Sequence, residues 1–471
     1  MIFNQDCLTL IIEELYNNKN NSLFSCLLVN RNWCKTVIPI LWRNPWILLN
    51  INNNQNFLKN AKLLLNIILL HLSEESKNYL KNQGIDIFLT LNYKQKNLLF
   101  DYLNFFRYIK HRNFINGNNI YEKVFYNYNN NQRNLIMQEI YKIFMSKQQY
   151  KIKFLDISGI SLPFYKYPGA EIRLLEIHEL HCKSDDDPNL FNGLSKICKL
   201  IQKFFIIYSN SNDELAKLIE LQYKVKYIKI IYISDDNDDD NNNNMNDRLL
   251  IDQAIMKHSK TIIYLDLMIE KNLNFINDLF SKLFNLKKLI LHGSLFYRLD
   301  LNEYFISSFH PINLQILQLC SLKFSTIIKI IQNTESNLQV IWLDSNKYDN
   351  INQPGQLINI ISQHCPSLKY LKIFLKDRYL HNFKDLLINC SLLEGIIIYT
   401  DNLFLNYFGD ELLNILINFT PMNLHKLDLN FCKFKFESFI SFLNNWKNRK
   451  ELLKNSIPIK VIILLMIIKK L

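Results

Sequence analysis

The sequence predicts an α/β protein in which a helical N-terminal region precedes a long array of strand-and-helix repeats. From about residue 151 onward, the apolar pattern L-x-x-L-x-L recurs at quasi-regular intervals, with apolar residues at helical spacing between the recurrences. Before residue 151, the apolar residues follow helical spacing alone. The chain is 48% hydrophobic and 21% charged, which is the composition of a folded protein and not of a disordered one.

The pattern divides the 471-residue chain into three regions, 1–46, 47–150 and 151–471. The first region contains three short segments with helical spacing of apolar residues. A unit this short cannot bury a large core, so we expect it to dock on another surface. The second region predicts a helical connector, including a helix over residues 98–106.

The third region is defined by its repeat. Successive repeats begin 20 to 37 residues apart, and the longest interval contains an Asp- and Asn-rich insert at 235–247. Such periods are typical of leucine-rich repeats, each of which supplies a strand and usually a helix. We therefore predict a leucine-rich-repeat horseshoe with a parallel sheet on its concave side. The twelve predicted starts are Ile152, Ile172, Ile201, Val225, Ile262, Leu286, Leu314, Leu338, Leu368, Leu393, Leu424 and Ile459.

Cysteine placement supports this register. Cys198, Cys365 and Cys390 each stand three residues before a predicted start, where a small apolar side chain fits as the chain turns into the strand. The nine cysteines are scattered, without any C-x-x-C. This favours reduced thiols in a cytoplasmic or nuclear protein over a disulfide framework or a zinc site.

The sequence carries no common signature of catalysis or cofactor binding. It lacks G-x-G-x-x-G, the P-loop pattern and G-x-S-x-G. The segment His178-Glu179-Leu180-His181 spaces its histidines by three residues, whereas a zinc-binding helix needs four. The longest apolar run has eight residues, and a membrane span needs about 20. We expect no catalytic residue, no cofactor, no metal and no membrane segment.

The net charge of +12 is spread along the chain. Basic residues never occur in runs longer than two, whereas a nucleic-acid-binding surface concentrates them. A nucleic-acid partner is therefore not favoured, and a nucleic-acid-binding repeat protein stays only as the weakest alternative.

The first region carries a recognisable motif. The segment Cys26-Leu27-Leu28-Val29-Asn30-Arg31-Asn32-Trp33 follows a helix of the form L-x-x-I-I-x-x-L. Together they resemble the F-box, whose pattern opens L-P-x-[ED]-[IL]-L and continues with L, C and V-[CNS]-[RK]-x-W. Phe3-Asn4 replaces the opening Leu-Pro. The match covers about forty residues, and the segment 40–46 extends the similarity to large fungal families of F-box proteins with degenerate leucine-rich repeats.

This resemblance implies a function. An F-box docks on the adaptor of a Skp–cullin–F-box E3 ubiquitin ligase, and the repeats of such proteins hold a protein substrate for ubiquitin conjugation. The chain would then be a non-catalytic receptor whose partners are the adaptor, the cullin and a substrate. The alternative is a leucine-rich-repeat scaffold that binds protein without any role in a ligase. The adaptor-binding residues implied by the resemblance are Leu8, Ile11, Leu15, Leu23, Val29 and Trp33.

The repeat register also predicts a substrate surface. Side chains alternate along a strand, so positions 3, 5 and 7 of each repeat face the opposite side from the core. The core positions include Leu289, Leu317, Ile341, Leu371 and Leu427. The opposite face is rich in aromatic residues, which dominate protein-binding hot spots. The candidate substrate residues are Tyr264, Gln318, Trp342, Asp344, Tyr370, Lys372 and Tyr399.

Overall fold

A computed structural model of the chain forms two compact units, Met1–Val225 and Lys226–Leu471, which we call the N-terminal unit and the C-terminal unit. The predicted repeat at Ile459, the residues Phe3-Asn4 and the insert at 235–247 lie outside the described residues. The structure describes residues 5–17, 23–49, 54–86, 98–110, 112–113, 118–147, 149–232, 249–269, 279–293, 309–344, 353–400, 408–430 and 434–450.

Helices dominate the N-terminal unit before residue 150. Short 3-10 helices lie at Pro45–Leu48, Tyr102–Phe105 and Phe164–Lys166. The α-helices that the structure describes in this unit are α1 Gln5–Asn17, α2 Leu23–Cys26, α3 Arg31–Leu41, α4 Asn54–Leu70, α5 Glu74–Asn82, α6 Ile120–Val124, α7 Asn130–Ser146, α8 Ala170–Arg173, α9 Pro188–Ile197 and α10 Asp213–Glu220.

The helix predicted over residues 98–106 is wrong. Only the single 3-10 turn at Tyr102–Phe105 forms there. Leu103 and Phe106 are buried but Leu99 is 88% exposed, so the apolar residues do not share one buried helical face. The chain then extends instead of coiling, because the backbone N–H of Arg107 donates to the carbonyl of Arg43 at 2.9 Å.

A parallel sheet begins inside the predicted connector. Strand β1, Tyr108–Ile109, pairs with β4, Phe154–Asp156, so the sheet starts more than forty residues before the predicted repeats. Strand β4 pairs in parallel with β5, Glu179–Lys183, which in turn pairs with β6, Lys203–Tyr208. A separate antiparallel pair joins β2, Arg112–Asn113, to β3, Asn118–Asn119.

The C-terminal unit alternates strands with helices. Eight parallel strands lie side by side in chain order. They are β7 Tyr227–Tyr232, β8 Tyr264–Ile269, β9 Lys288–Gly293, β10 Ile316–Cys320, β11 Val340–Asp344, β12 Tyr370–Phe374, β13 Gly395–Tyr399 and β14 Lys426–Asn430. The helices among the described residues are α11 Leu249–Lys257, α12 Phe324–Gln332, α13 Gln353–His364, α14 Leu380–Asn389, α15 Phe408–Phe419 and α16 Phe436–Lys450, with a 3-10 turn at Asp377–Tyr379.

These strands confirm the α/β class and most of the predicted register. Ten predicted starts are each followed, two residues later, by the first residue of a strand. The five predicted core residues are at most 5% exposed, and they are Leu289, Leu317, Ile341, Leu371 and Leu427.

The predicted start at Ile172 is wrong. Ile172 lies on the short helix α8 and is 37% exposed. The strand of this repeat follows Ile177, and Ile177, Leu180 and Cys182 are fully buried in the three apolar positions. The predicted start was five residues too early because Cys182 occupies the third apolar position of the true repeat. Ile172 and Leu175, together with Ile177, offered a match made of aliphatic residues alone. With the start at Ile177, the neighbouring intervals become regular.

Side chains at the turns into the strands link consecutive repeats. The amides of Asn285, Asn313 and Asn337, each just before a repeat start, donate to the carbonyls of Lys260, Phe284 and Ile312 of the preceding repeats at 2.7, 3.0 and 3.0 Å. The buried thiol of Cys390 lies 3.4 Å from the carbonyl of Cys365, and that of Cys198 lies 3.5 Å from the carbonyl of Leu174. Each bond satisfies a backbone acceptor at a loop that pairing between strands cannot reach.

Candidate functional sites

The first three helices form a small core of their own. Asn30 starts α3, since its side-chain oxygen accepts a hydrogen bond from the backbone N–H of Trp33 at 3.0 Å. The Arg43 guanidinium pairs with the Glu13 carboxylate at 2.8 Å, which ties the end of α3 to α1. The buried side chains of this core are Leu8, Ile12, Leu23, Cys26, Val37 and Ile40.

The six residues implied as adaptor contacts divide between this core and the surface. Leu8 and Leu23 are buried in the core, and Leu15 and Trp33 are partly buried against it. Ile11 and Val29 are exposed. Ile11 and Val29 are therefore available for a large contact, while the other four residues support the helices. The adaptor contact itself stays a prediction.

Three further apolar residues of this segment are exposed. Leu10 lies on α1, Phe24 on α2 and Leu28 in the turn after α2, where it is 87% exposed. Sequence reasoning missed them because it followed the motif positions and the buried stripe of α1. Several exposed apolar residues on one short segment indicate an interaction site more strongly than a single one does. We call Leu10, Ile11, Phe24, Leu28 and Val29 the N-terminal apolar surface.

The end of the motif anchors this helical segment to the sheet of its own unit. Trp46 is 6% exposed, and its indole N–H donates to the carbonyl of Tyr108 on β1 at 2.8 Å. Its ring contacts Phe106 edge to face. Trp46, at the end of the segment 40–46, therefore has a structural role.

The predicted substrate surface centres on Trp342. Gln318 and Lys372 are its register partners on β10 and β12, as predicted, so the three side chains lie about 4.8 Å apart in a row. Trp342 is 41% exposed, whereas Ile341 and Leu343 on either side are buried. The predicted exposure of the indole is thus confirmed, and its use in binding stays a prediction. We call positions 3, 5 and 7 of β8 to β13 the sheet face.

Polar side chains continue from Trp342 toward the ends of the strands. Lys372 forms an ion pair with Asp344, and the Cys320 thiol lies 3.7 Å from the other carboxylate oxygen of Asp344. The Lys372 ammonium also lies 5.7 Å from the ring centre of Tyr399, whose hydroxyl donates to the carbonyl of Leu343. These contacts fix Lys372 and Tyr399 in place beside the indole.

Gly395 makes room for the side chain of Tyr370, which lies two residues before Lys372 on β12. Tyr370 is paired in register with Gly395, and a β-carbon added at Gly395 would lie 2.8 Å from the tyrosine ring. The Tyr370 hydroxyl donates to Glu394 at 2.7 Å, and Lys426 lies over the ring at 5.2 Å. A side chain at position 395 would displace this arrangement.

A second polar cluster lies on β7 to β9. Asp266 is only 2% exposed, and its carboxylate contacts the Lys229 ammonium at 3.0 Å and His292 Nε2 at 3.3 Å. The Tyr264 hydroxyl lies 3.4 Å from the same carboxylate. Of the candidate substrate residues, Tyr264 thus belongs to this cluster, three strands from Trp342. The other six lie together on β10 to β13.

Charge pairing controls the protonation of this cluster. Burial would raise the pKa of Asp266, but hydrogen bonds from His292 and Lys229 outweigh it and lower the pKa. The hydrogen bond to Asp266, with a smaller contribution from Cys320, raises the pKa of His292 to about 9 against partial burial. His292 is therefore an imidazolium at neutral pH.

The His292 pair predicts a pH dependence. Because the folded-state pKa is raised, its stabilisation is full below the unfolded value of about 6.5 and is lost as pH rises through about 9. NMR titration of the histidine ring protons, with His292→Gln for assignment, is expected to show one histidine titrating near pH 9. Asp266→Asn should bring that titration down toward 6.5. An unchanged titration in Asp266→Asn would contradict the assigned pair.

The histidine-rich segment leads into β5, with His178 directly before the strand and His181 on it. His181 Nε2 contacts the Glu179 carboxylate at 2.9 Å, while His178 Nδ1 contacts the carbonyl of Glu176. Within the described part of the chain, no group of three or more His, Cys, Asp or Glu side chains is placed to hold a metal ion.

Comparison with known proteins adds little. No protein-family model and no curated protein matches this sequence. A crystal structure of a protein from Bacteroides fragilis is similar at a TM-score of 0.30 and 11% identity, over 55% of this chain and 68% of that one. At that TM-score the similarity carries no argument. Among the described helices, none combines the length and the apolar character that crossing a membrane requires.

Proposed function

We propose that the chain is a substrate-recognition subunit of a Skp–cullin–F-box E3 ubiquitin ligase. The observation that carries the proposal is the N-terminal apolar surface, which is formed by the same segment that resembles an F-box. Its helices bury their own small core and still expose Ile11, Leu28 and Val29. Apolar surface that costs free energy in water indicates a partner that covers it.

The sheet face provides the second half of the proposal, a surface for a protein substrate. A receptor of this kind performs no bond chemistry itself. It raises the effective concentration of the substrate near the ubiquitin-charged enzyme. The paired polar side chains around Trp342 suit this role, because they are held in place before a ligand arrives and lose little conformational entropy on binding.

Two leucines of nearly equal exposure test the adaptor contact. Leu28→Glu is expected to abolish capture of a purified Skp-type adaptor, since it places a charge in an apolar contact. Leu99→Glu is the matched control, because Leu99 is 88% exposed in the same unit but outside the N-terminal apolar surface. The readout is a pull-down with the full chain, with thermal melting of both variants to check folding.

Equal capture by wild type and Leu28→Glu would remove this surface from the adaptor contact. Failure of the wild-type chain to capture any Skp-type adaptor would instead select the alternative, a repeat scaffold that binds protein through the sheet face alone.

A further inference from the structure

The aromatic rings of the sheet face differ in whether a lysine ammonium lies near them. Four of the rings have a lysine of the chain over or beside the ring. The ammonium-to-centroid distances are 5.1 Å for Lys288 and Tyr264, 5.2 Å for Lys426 and Tyr370, 5.6 Å for Lys376 and Phe374, and 5.7 Å for Lys372 and Tyr399.

Trp342 is the exception. Among the described residues, no lysine or arginine lies over its indole, although tryptophan is the ring that attracts cations most strongly. Lys372, its register partner, is turned to Asp344 and Tyr399 instead. The strongest cation acceptor of the sheet face is thus left open to solvent.

A carboxylate lies beside the open indole. Asp344 is two residues further along β11, on the same face and about 7 Å away, and its side chain is 43% exposed. One of its oxygens accepts from Lys372, and among the described residues the other has only a long contact with the Cys320 thiol. A carboxylate has about four acceptor positions, so Asp344 can accept further donors.

We propose that Trp342 and Asp344 bind an arginine side chain of the protein substrate. A planar guanidinium can stack on the indole and donate two parallel N–H bonds to the carboxylate, which an ammonium cannot do. This inference rests on the proposed function, in which the sheet face receives the substrate.

The residues around Trp342 and the charge of the chain indicate which residues flank the bound arginine. On the side of Trp342 away from Asp344, the half-buried residues are Ile316, Val340 and Tyr370. The chain is basic overall, at +12, so an extended run of basic residues would be repelled. The ligand is therefore a single arginine flanked by apolar or neutral residues.

Two peptide pools test the proposal. Both are pentapeptides with a fixed central residue and randomised apolar or neutral flanks; the centre is arginine in one pool and citrulline, its neutral isostere, in the other. Fluorescence anisotropy with the full chain is expected to show at least about tenfold tighter binding of the arginine pool, the size of one well-placed cation–aromatic contact with a charge-assisted bond.

Variants link the preference to the two residues. Trp342→Leu and Asp344→Asn are each expected to reduce the affinity for the arginine pool to that for the citrulline pool. Trp342→Phe should retain part of the preference for arginine. Phe284→Leu is the control, because Phe284 is an aromatic residue of the C-terminal unit that is 50% exposed and lies outside the sheet face. Thermal melting confirms that each variant is folded.

Equal binding of the two pools by the wild-type chain would overturn the proposal, as would an arginine preference that survives Trp342→Leu. Tighter binding of pools with central norleucine or phosphoserine would also overturn it and assign an apolar or phosphorylated ligand. The adaptor pull-down distinguishes this failure from failure of the proposed function, because Leu28→Glu does not alter the sheet face.

Discussion

Replacing Ile341 with alanine is expected to lower the free energy of unfolding of the C-terminal unit by about 3 kcal/mol. Ile341 is fully buried between β10 and β12, and truncation leaves a cavity besides removing apolar contacts. Trp342→Ala, one residue away, removes a side chain that is 41% exposed and should cost far less stability. It should instead weaken capture of the substrate.

Urea unfolding, followed by circular dichroism, compares the two variants. A large loss of stability in Trp342→Ala together with a neutral Ile341→Ala would show that the strand is displaced by one residue, since such a shift exchanges the two faces of a sheet.

The second large effect is expected in the N-terminal helices. Leu8→Glu places a carboxyl group in a core where Leu8 is only 3% exposed, and burial of an unpaired polar group costs at least about 2 kcal/mol. A core this small cannot absorb that cost, so α1 to α3 should unfold locally. Ile11→Glu, on the exposed side of the same helix, should leave the helices folded while it weakens adaptor capture.

Hydrogen exchange of peptides from α1 to α3 measures this difference. Rapid exchange in Leu8→Glu and native protection in Ile11→Glu are the expected results. Rapid exchange in both variants would contradict the burial assigned to α1. Joint substitution of Leu8 and Ile11 is a poor test of docking, because the buried residue would unfold the surface that the exposed one presents.

Periodicity in the sequence was enough to predict the strands. Burial of alternate residues in parallel strands leaves a strong pattern, and it located ten strands to the residue. The pattern failed near Ile172 because Cys182 fills an aliphatic position. It also failed to predict β1, whose two residues are too few for any periodicity.

Contacts between side chains of different repeats could not be predicted in the same way. The strand register places Asp266 and His292 on one face, but their pairing depends on rotamers and burial. Three repeats have an asparagine directly before their first apolar residue, and these are the residues Asn285, Asn313 and Asn337 that form the bonds. Asparagine is common throughout the sequence, so this pattern did not stand out.

The exposed apolar residues of the N-terminal segment were missed for a different reason. A motif identifies positions that resemble a family, without showing which of them the helices bury. Leu8 and Ile11 look alike in the motif, but the first supports the core and the second lies on the surface. Leu28 is the most exposed residue of the N-terminal apolar surface and lies between two motif positions.

The most direct test of the central claim is size-exclusion chromatography with light scattering on the full chain mixed with a purified Skp-type adaptor. The proposed function predicts co-elution as a one-to-one complex, and a Leu28→Glu chain that elutes alone. Separate elution of the folded wild-type chain and the adaptor would contradict it.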